Sequence, residues 1–256
     1  MQSWVTKMLR IVKFWQYWKT FCMFEQNQST LLLVDDDEKL TQLLQQYFTN
    51  EGFDVIVFSS GDALLGASSN IKNADMIILD VMMPGLNGLD TLQRLRQISQ
   101  TPVIMLTGKG DDYDRIVGLE IGADDYIAKP CNPREILARI KAIFRRTRKP
   151  ATLAQTDLSF GQLQLNFAKR LLTWQDQVVD TTPTEFSALA ILMQHTGTPV
   201  SREALTEKVL HRKLTAYDRS IDVHISRLRH KLAQFIDEPI IKTIRSQGYQ
   251  FTFGTG

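Results

Sequence analysis

The chain has 256 residues, 43% hydrophobic and 23% charged, with a formal net charge of +2. That length suits one large domain or two ordinary ones, and the composition excludes a collagen-like, disulfide-framework or fully disordered chain. The two cysteines, Cys22 and Cys131, fit a reducing compartment, and no charge-free apolar stretch is long enough to span a bilayer. The small net charge hides an asymmetry. Residues 1–28 are net +3, residues 29–147 net −5 and residues 148–256 net +4. An acidic middle beside a basic end points to two domains with different partners, the second a candidate for nucleic acid.

Taken in chain order, residues 1–28 carry Trp4, Met8, Ile11, Trp15, Trp18 and Cys22 as an apolar stripe at helical spacing, with Lys7, Arg10, Lys13 and Lys19 elsewhere. The stripe fits a membrane-surface helix, and the absence of an Ala-x-Ala pattern argues against a signal peptide. From Leu31 onward, strand and helix patterns alternate. Strands are expected at Leu31–Asp35, Val55–Phe58, Met76–Asp80, Val103–Thr107 and Tyr126–Ala128, all but the last as near-continuous apolar runs. Helices are expected at Glu38–Thr49, Gly61–Ser69, Leu89–Ile98, Asp112–Ile121 and Pro133–Arg146. Five βα repeats with short connections predict a doubly wound five-stranded parallel sheet over residues 29–147.

Residues 148–156 break the repeat and read as a linker. Residues 157–256 then predict an α+β domain. Short strands (Leu158–Leu165, Arg170–Trp174) precede a capping box at Thr182-Pro-Thr-Glu185, a helix N-capped by Ser201 and a helix over Arg219–Leu232. A hairpin over Ile240–Ile244 and Tyr249–Phe253 closes the domain. On the Arg219–Leu232 helix, Ile221, Ile225, Leu228 and Leu232 form a core stripe, while Arg219, Val223, Ser226, Arg227 and His230 lie around the other side. That slender basic face suits a DNA major groove, and also suits an ordinary solvated surface. His224 and His230 have no partners at zinc-ligand spacing.

The parallel sheet carries chemistry at one edge. Asp35-Asp36-Asp37 ends the first strand, Asp80 the third and Thr107 the fourth, and Lys129 follows the fifth. Clustered carboxylates repel unless protonated or bridged by a cation, and Mg²⁺ fits such oxygen ligands. A lysine and a hydroxyl beside them suit phosphoryl oxygens, so a carboxylate here is placed to become an aspartyl phosphate. The alternative is a set of ordinary solvated loop acids.

The motifs Leu31-Leu-Leu-Val-Asp-Asp-Asp37, Leu79-Asp-Val-Met-Met-Pro-Gly85, Val103-Ile-Met-Leu-Thr107 and Asp124-Asp-Tyr-Ile-Ala-Lys-Pro130 resemble the receiver domain of two-component response regulators. The resemblance implies that Asp80 is the phosphoacceptor. It implies that Asp35, Asp36, Asp80 and the Met82 carbonyl hold Mg²⁺, and that Thr107 and Lys129 contact the phosphoryl oxygens. It makes Thr107 and Tyr126 the switch pair and the Lys129-Pro130 bond cis. Gly108 and Cys131 depart from the family's usual alanine and phenylalanine.

Thr182-Pro-Thr-Glu-Phe186, Asp218 to Arg229 and Ile241 to Tyr249 resemble the winged helix-turn-helix domain of OmpR/PhoB-class regulators. By that resemblance Arg219–Leu232 is the recognition helix. Arg227 and Val223 would touch bases, Arg229 and Arg219 phosphates, and Arg245 the minor groove; Ser226 and His230 lie on the same face. Ser246 stands where glycine is usual, so a left-handed turn there would be strained. The class also implies symmetric receiver pairing, with Arg115 against Glu135, Asp125 against Arg139 and Asp124 against Arg146 across a homodimer.

Within the class, Leu210 to Arg219 most resembles the Cpx-type envelope-stress regulators. The implied protein is cytoplasmic, with a sensor histidine kinase and double-stranded DNA as partners, RNA polymerase as a further one, and no stable membrane association. Receivers usually begin just before their first strand, so residues 1–28 also read as a start taken too early, with Met23 the natural start. Two rivals are weaker. A haloacid-dehalogenase-like phosphatase needs a second aspartate two residues past the nucleophile, where Met82 stands. A constitutive nucleoid protein needs no Asp35/Asp36/Asp80/Thr107/Lys129 set.

Overall fold

A computed structural model describes residues 28–108, 112–148, 157–215 and 218–253. The amino-terminal stripe and nearly all of the expected linker lie outside the described residues, as do the side chains of Arg115 and Arg146.

In the first domain β1 (Thr30–Val34), α1 (Glu38–Asn50), β2 (Asp54–Phe58), α2 (Gly61–Gly66), α3 (Ser68–Asn73) and β3 (Met76–Asp80) come first. They are followed by α4 (Gly88–Arg96), β4 (Val103–Thr107), α5 (Asp112–Ile121), β5 (Asp125–Ala128) and α6 (Pro133–Arg148). The strands form one parallel sheet in the order β2-β1-β3-β4-β5. Residues Leu31–Val34 and Ile77–Leu79 are fully buried because helices cover both faces. Alternate residues divide between two cores. Leu31 and Leu33 pack with Leu44, Phe48, Ile136 and Ile140 on one face; Leu32 and Val34 pack with Leu64, Ile71, Leu92 and Leu95 on the other. Asp37 caps α1 by accepting from the Lys39 and Leu40 amides, and Asn87 caps α4 through the Asp90 amide. The helix expected over Gly61–Ser69 is two short helices, because Ala67 leaves helical geometry at ψ 56° between them.

The second domain opens with β6 (Leu158–Phe160), β7 (Leu163–Asn166), β8 (Leu171–Trp174) and β9 (Gln177–Val178) in an antiparallel sheet. The single strand expected over Leu158–Leu165 is a hairpin instead. Gly161, at φ 58°, turns the chain where a Cβ would strike the Phe253 ring at 2.6 Å. Then come α7 (Pro183–Gln194), α8 (Arg202–Leu205) running into a π-helical turn (Thr206–Leu210), α9 (Ser220–Leu232), β10 (Ile241–Ile244) and β11 (Gly248–Phe251). The capping box at Thr182 and Glu185 forms in both directions, with Pro183 in the first turn. Ser201 caps α8 through the Ala204 amide. The core joins Leu163, Leu165 and Leu172 from the sheet to Leu189, Met193, Ile221, Ile225, Leu228 and Phe251. The wing β10–β11 pairs antiparallel, and Val200 bridges to Tyr249 at its base.

Candidate functional site

Strand order 2-1-3-4-5 puts its topological switch between β1 and β3, where ligands bind at the carboxyl ends. Asp35 follows β1 there and Asp80 ends β3, both 2% exposed, while Asp36 beside them is exposed. Carboxylate oxygens of Asp35, Asp36 and Asp80 lie within 4.8 Å of one another. The Lys129 Nζ reaches in from beyond β5, 2.7 Å from Asp35 Oδ2 and 2.8 Å from Asp80 Oδ1. The Lys129-Pro130 bond is cis, as the resemblance implies.

The electrostatics follow from this crowding. Burial pushes the Asp80 carboxyl above its ordinary range, the Lys129 bond opposes that, and the Asp35 and Asp36 charges add to it. Burial disfavours the Lys129 ammonium, but its bonds to Asp35 and Asp80 outweigh the burial and hold it above its usual range. Three carboxylates against one ammonium leave a surplus of negative charge, so the donor set fits a hard divalent cation.

Thr107 ends β4, 3% exposed, and Tyr126 is half-buried on neighbouring β5, packed at the edge of the apolar cluster. Met82 follows Asp80 in the same loop with its side chain 67% exposed. Gly88 was missed by the sequence reading. It opens α4 directly on the loop that follows Asp80, where a Cβ would lie 2.0 Å from the Asp80 carbonyl oxygen and 2.8 Å from Val81 Cα. Only the three-dimensional approach of α4 shows why glycine stands there.

The face expected to pair receivers is engaged within the chain. Arg139 pairs with Asp125 at 2.7 Å and with Glu135, one helical turn away, at 3.0 Å. Asp124 is fully buried; its Oδ2 accepts from the Val103 amide and pairs with Arg96 at 3.4 Å. Its Oδ1 accepts from the Thr184 hydroxyl at 2.9 Å, across the domain boundary.

Helix α9 presents Ile221, Ile225, Leu228 and Leu232 to its own core, as expected. Arg219, Ser226, His230 and wing residue Arg245 are exposed. Arg229 reaches the wing, donating to the Ile241 carbonyl at 2.9 Å and to Thr243. Val223 and Arg227 differ from an open reading face. Val223 is 7% exposed and packs into the first domain's apolar cluster, which includes Leu119 and Met105. Arg227 donates to the Leu119 carbonyl of α5 at 3.2 Å and pairs with Glu185 at 3.2 Å. Glu185, Arg96, Thr184 and Leu119 were not singled out as site residues. Glu185 was legible only as a capping residue, because its fully buried carboxylate also takes Lys231 at 2.7 Å from α9.

Known proteins agree with this architecture. The family model "Response regulator receiver domain" matches residues 31–141, and "Transcriptional regulatory protein, C terminal" matches residues 176–251. The transcriptional regulatory protein CpxR of Klebsiella pneumoniae is 47% identical over 225 residues, covering 86% of this chain and 96% of its own length. The CpxR of Escherichia coli K12 matches to the same extent. Among solved structures, a point mutant of RitR superposes with a TM-score of 0.70 at 24% identity over 88% of this chain and all of its own, which shows the fold. Receiver sheet, winged-helix domain and near full-length identity converge: the chain belongs to the CpxR-type transcriptional regulatory proteins, two-component response regulators that join a receiver to an OmpR/PhoB-type effector domain.

Proposed function

We propose that Asp80 accepts a phosphoryl group from a sensor histidine kinase and that this event controls DNA binding by α9 and the wing. The observation that carries the reading is Lys129 bridging Asp35 and Asp80 beside Asp36, with Thr107 on the next strand end. In the transfer, an Asp80 oxygen attacks phosphorus. The P–N bond to the kinase histidine breaks, and its electron pair leaves with the imidazole. Asp80 enters as the carboxylate, and Lys129 exchanges it for the new phosphoryl oxygens. Asp35, Asp36, Asp80 and the Met82 carbonyl would hold Mg²⁺, which when bound offsets phosphoryl charge. Thr107 moving toward the phosphoryl oxygens leaves room that Tyr126 fills, and that shift favours receiver pairing through Arg115, Asp124, Asp125, Glu135, Arg139 and Arg146.

Two effector domains then occupy tandem half-sites about one helical turn apart. Arg227 and Val223 face bases, Arg219 and Arg229 face phosphates, Ser226 and His230 line the same side, and Arg245 enters the minor groove. In this reading the targets are envelope-stress genes, in keeping with the likeness to the CpxR transcriptional regulatory proteins, with RNA polymerase as a partner and the cytoplasm as the compartment. Among the described residues, no helix is long and apolar enough to cross a membrane.

Selection from a random duplex pool tests this. Wild type treated with acetyl phosphate and Mg²⁺ should enrich a tandem site that Asp80→Ala enriches clearly less. Equal enrichment by both would mean that Asp80 does not gate DNA binding.

A further inference from the structure

Helix α9 carries a single acid, Asp222, among Arg227, Arg229 and Lys231. A carboxylate on a helix that approaches phosphates is repelled by them unless its charge is taken up nearby. We infer that Asp222 is a positioning residue: it ties α9 to the wing through Tyr249 and to the start of α8 through Arg202, and so sets where Arg245 stands relative to the base-facing residues of α9. This role rests on the proposed reading of α9 and the wing as the DNA-contacting elements.

Two residues of α9 hold the same tyrosine. In the first turn, Asp222 accepts from the Tyr249 hydroxyl and pairs with Arg202 Nε at 2.8 Å. Seven residues on, and so on the same side of the helix, the Arg229 guanidinium lies over the Tyr249 ring, 5.4 Å from its centroid. That guanidinium also donates to the Ile241 carbonyl and the Thr243 hydroxyl, both at 2.9 Å. Thr243 is the register partner of Tyr249 across the wing. Tyr249 itself is 4% exposed, and its amide and carbonyl bond to Val200 at 3.0 and 2.8 Å, directly before Ser201 and Arg202. The Asp222 charge holds the Arg202 guanidinium above its usual range, and burial together with the same carboxylate pushes the Tyr249 phenol up, so the phenol stays a donor.

The mechanical consequence lies at the wing tip. Only residues 244–248 extend past the Thr243–Tyr249 pair, and Arg245 is the second of them. A displacement of Tyr249 therefore reaches Arg245 with little slack. The minor groove of B-DNA is about 6 Å wide, which leaves an inserted arginine little lateral freedom. A first-turn acid also favours the helix dipole. That role needs no partner, whereas Asp222 holds two, on separate elements.

A double-mutant cycle in the full phosphorylated chain tests the tie. Arg245→Ala should weaken binding of the selected duplex by about tenfold in the otherwise wild-type chain, and by less than about threefold beside Asp222→Ala or Tyr249→Phe, where the arginine is already misplaced. Tyr249→Phe keeps the ring under Arg229 and removes only the hydroxyl, so it reports even if Asp222→Ala fails to fold. An equal loss from Arg245→Ala in every background would overturn this role and leave Asp222 a helix-terminal charge. Hydrogen exchange gives a readout without DNA. The Gln247 amide, bonded to the Ile244 carbonyl in the wing turn, should exchange faster in Tyr249→Phe than in wild type, with β1 and β3 unaltered. Unchanged exchange at Gln247 would also overturn the tie. If Arg245→Ala costs nothing in the wild-type chain while Gln247 loosens in Tyr249→Phe, the minor-groove reading of Arg245 fails and the tie between helix and wing stands.

Discussion

Ser246 sits at φ 63°, between the two wing strands. A non-glycine residue in that region costs about 1–2 kcal/mol, whereas glycine takes the conformation freely but loses more chain entropy on folding. Ser246→Gly should therefore stabilise the protein by roughly 0.5–1 kcal/mol net, read as a higher urea midpoint at constant slope. An unchanged midpoint would mean that the wing carries no such strain. The sequence showed this position only as a departure from its family, because no local pattern in Arg-Ser-Gln-Gly says which residue takes the positive φ.

Asp218 makes a second residue-scale case. Burial alone would raise its pKa, but the Arg212 ion pair and the Ser220 amide and hydroxyl pull it down to about 2. A depressed carboxylate contributes stability that is present above its unfolded value near 3.9 and is lost as pH falls through the folded one. A shift of about two units corresponds to roughly 2–3 kcal/mol. Asp218→Asn should lower stability by about that amount at pH 7, and the gap to wild type should narrow as pH falls from about 4 toward 2. A gap that stays constant over that window would assign the loss to packing rather than to charge.

Elements were legible where one constraint dominated. Strands β1, β3 and β4 are covered on both faces, so their apolar runs could be read directly, and Asp35, Asp80 and Thr107 at their carboxyl ends fall at one sheet edge by topology. The capping box of α7 and the Ser201 N-cap of α8 use short-range chemistry and were equally plain. Less was readable where neighbours decide. The break at Ala67 between α2 and α3 is marked only by Gly66 before it, and a single glycine in a helical pattern does not by itself end a helix. Val223 lies off the core stripe of its own domain, so its burial by another domain had no periodic signal.

The start of α4 is set by proximity of the same kind. Gly88 donates its amide to the Val81 carbonyl at 2.9 Å, which brings the helix onto the loop that carries Asp80 and Met82. Gly88→Ala forces a methyl into the Asp80 carbonyl oxygen, so the loop or the helix must move. Overpacking of this sort costs about 1–3 kcal/mol. The expected outcome is a lower urea midpoint together with slower phosphorylation by acetyl phosphate, because the carboxylate and the Met82 carbonyl shift with the loop. Loss of stability with an unchanged phosphorylation rate would show that α4 supports the fold without positioning the site.

At the scale of the whole molecule, the two domains have separate apolar cores but share the contact around Val223, Asp124 and Glu185. Domains with their own cores melt as separate units unless an interface couples them. Beryllofluoride and Mg²⁺ bind only the folded receiver, and at about a hundred times their dissociation constant they stabilise it by roughly 2.7 kcal/mol. A rigidly coupled chain would pass that gain to both domains. A chain that frees α9 for DNA on activation, as the proposed function requires, would not, since the effector domain loses the burial of Val223 and the bonds to Leu119 and Asp124 as the receiver gains its ligand. Calorimetry on the full chain should therefore show the receiver transition rising by several degrees while the effector transition falls or stays. Asp80→Ala should show neither movement. If both transitions of wild type rose together, the domains would be joined more tightly by activation, and the interface around α9 would be a structural seam rather than a switch.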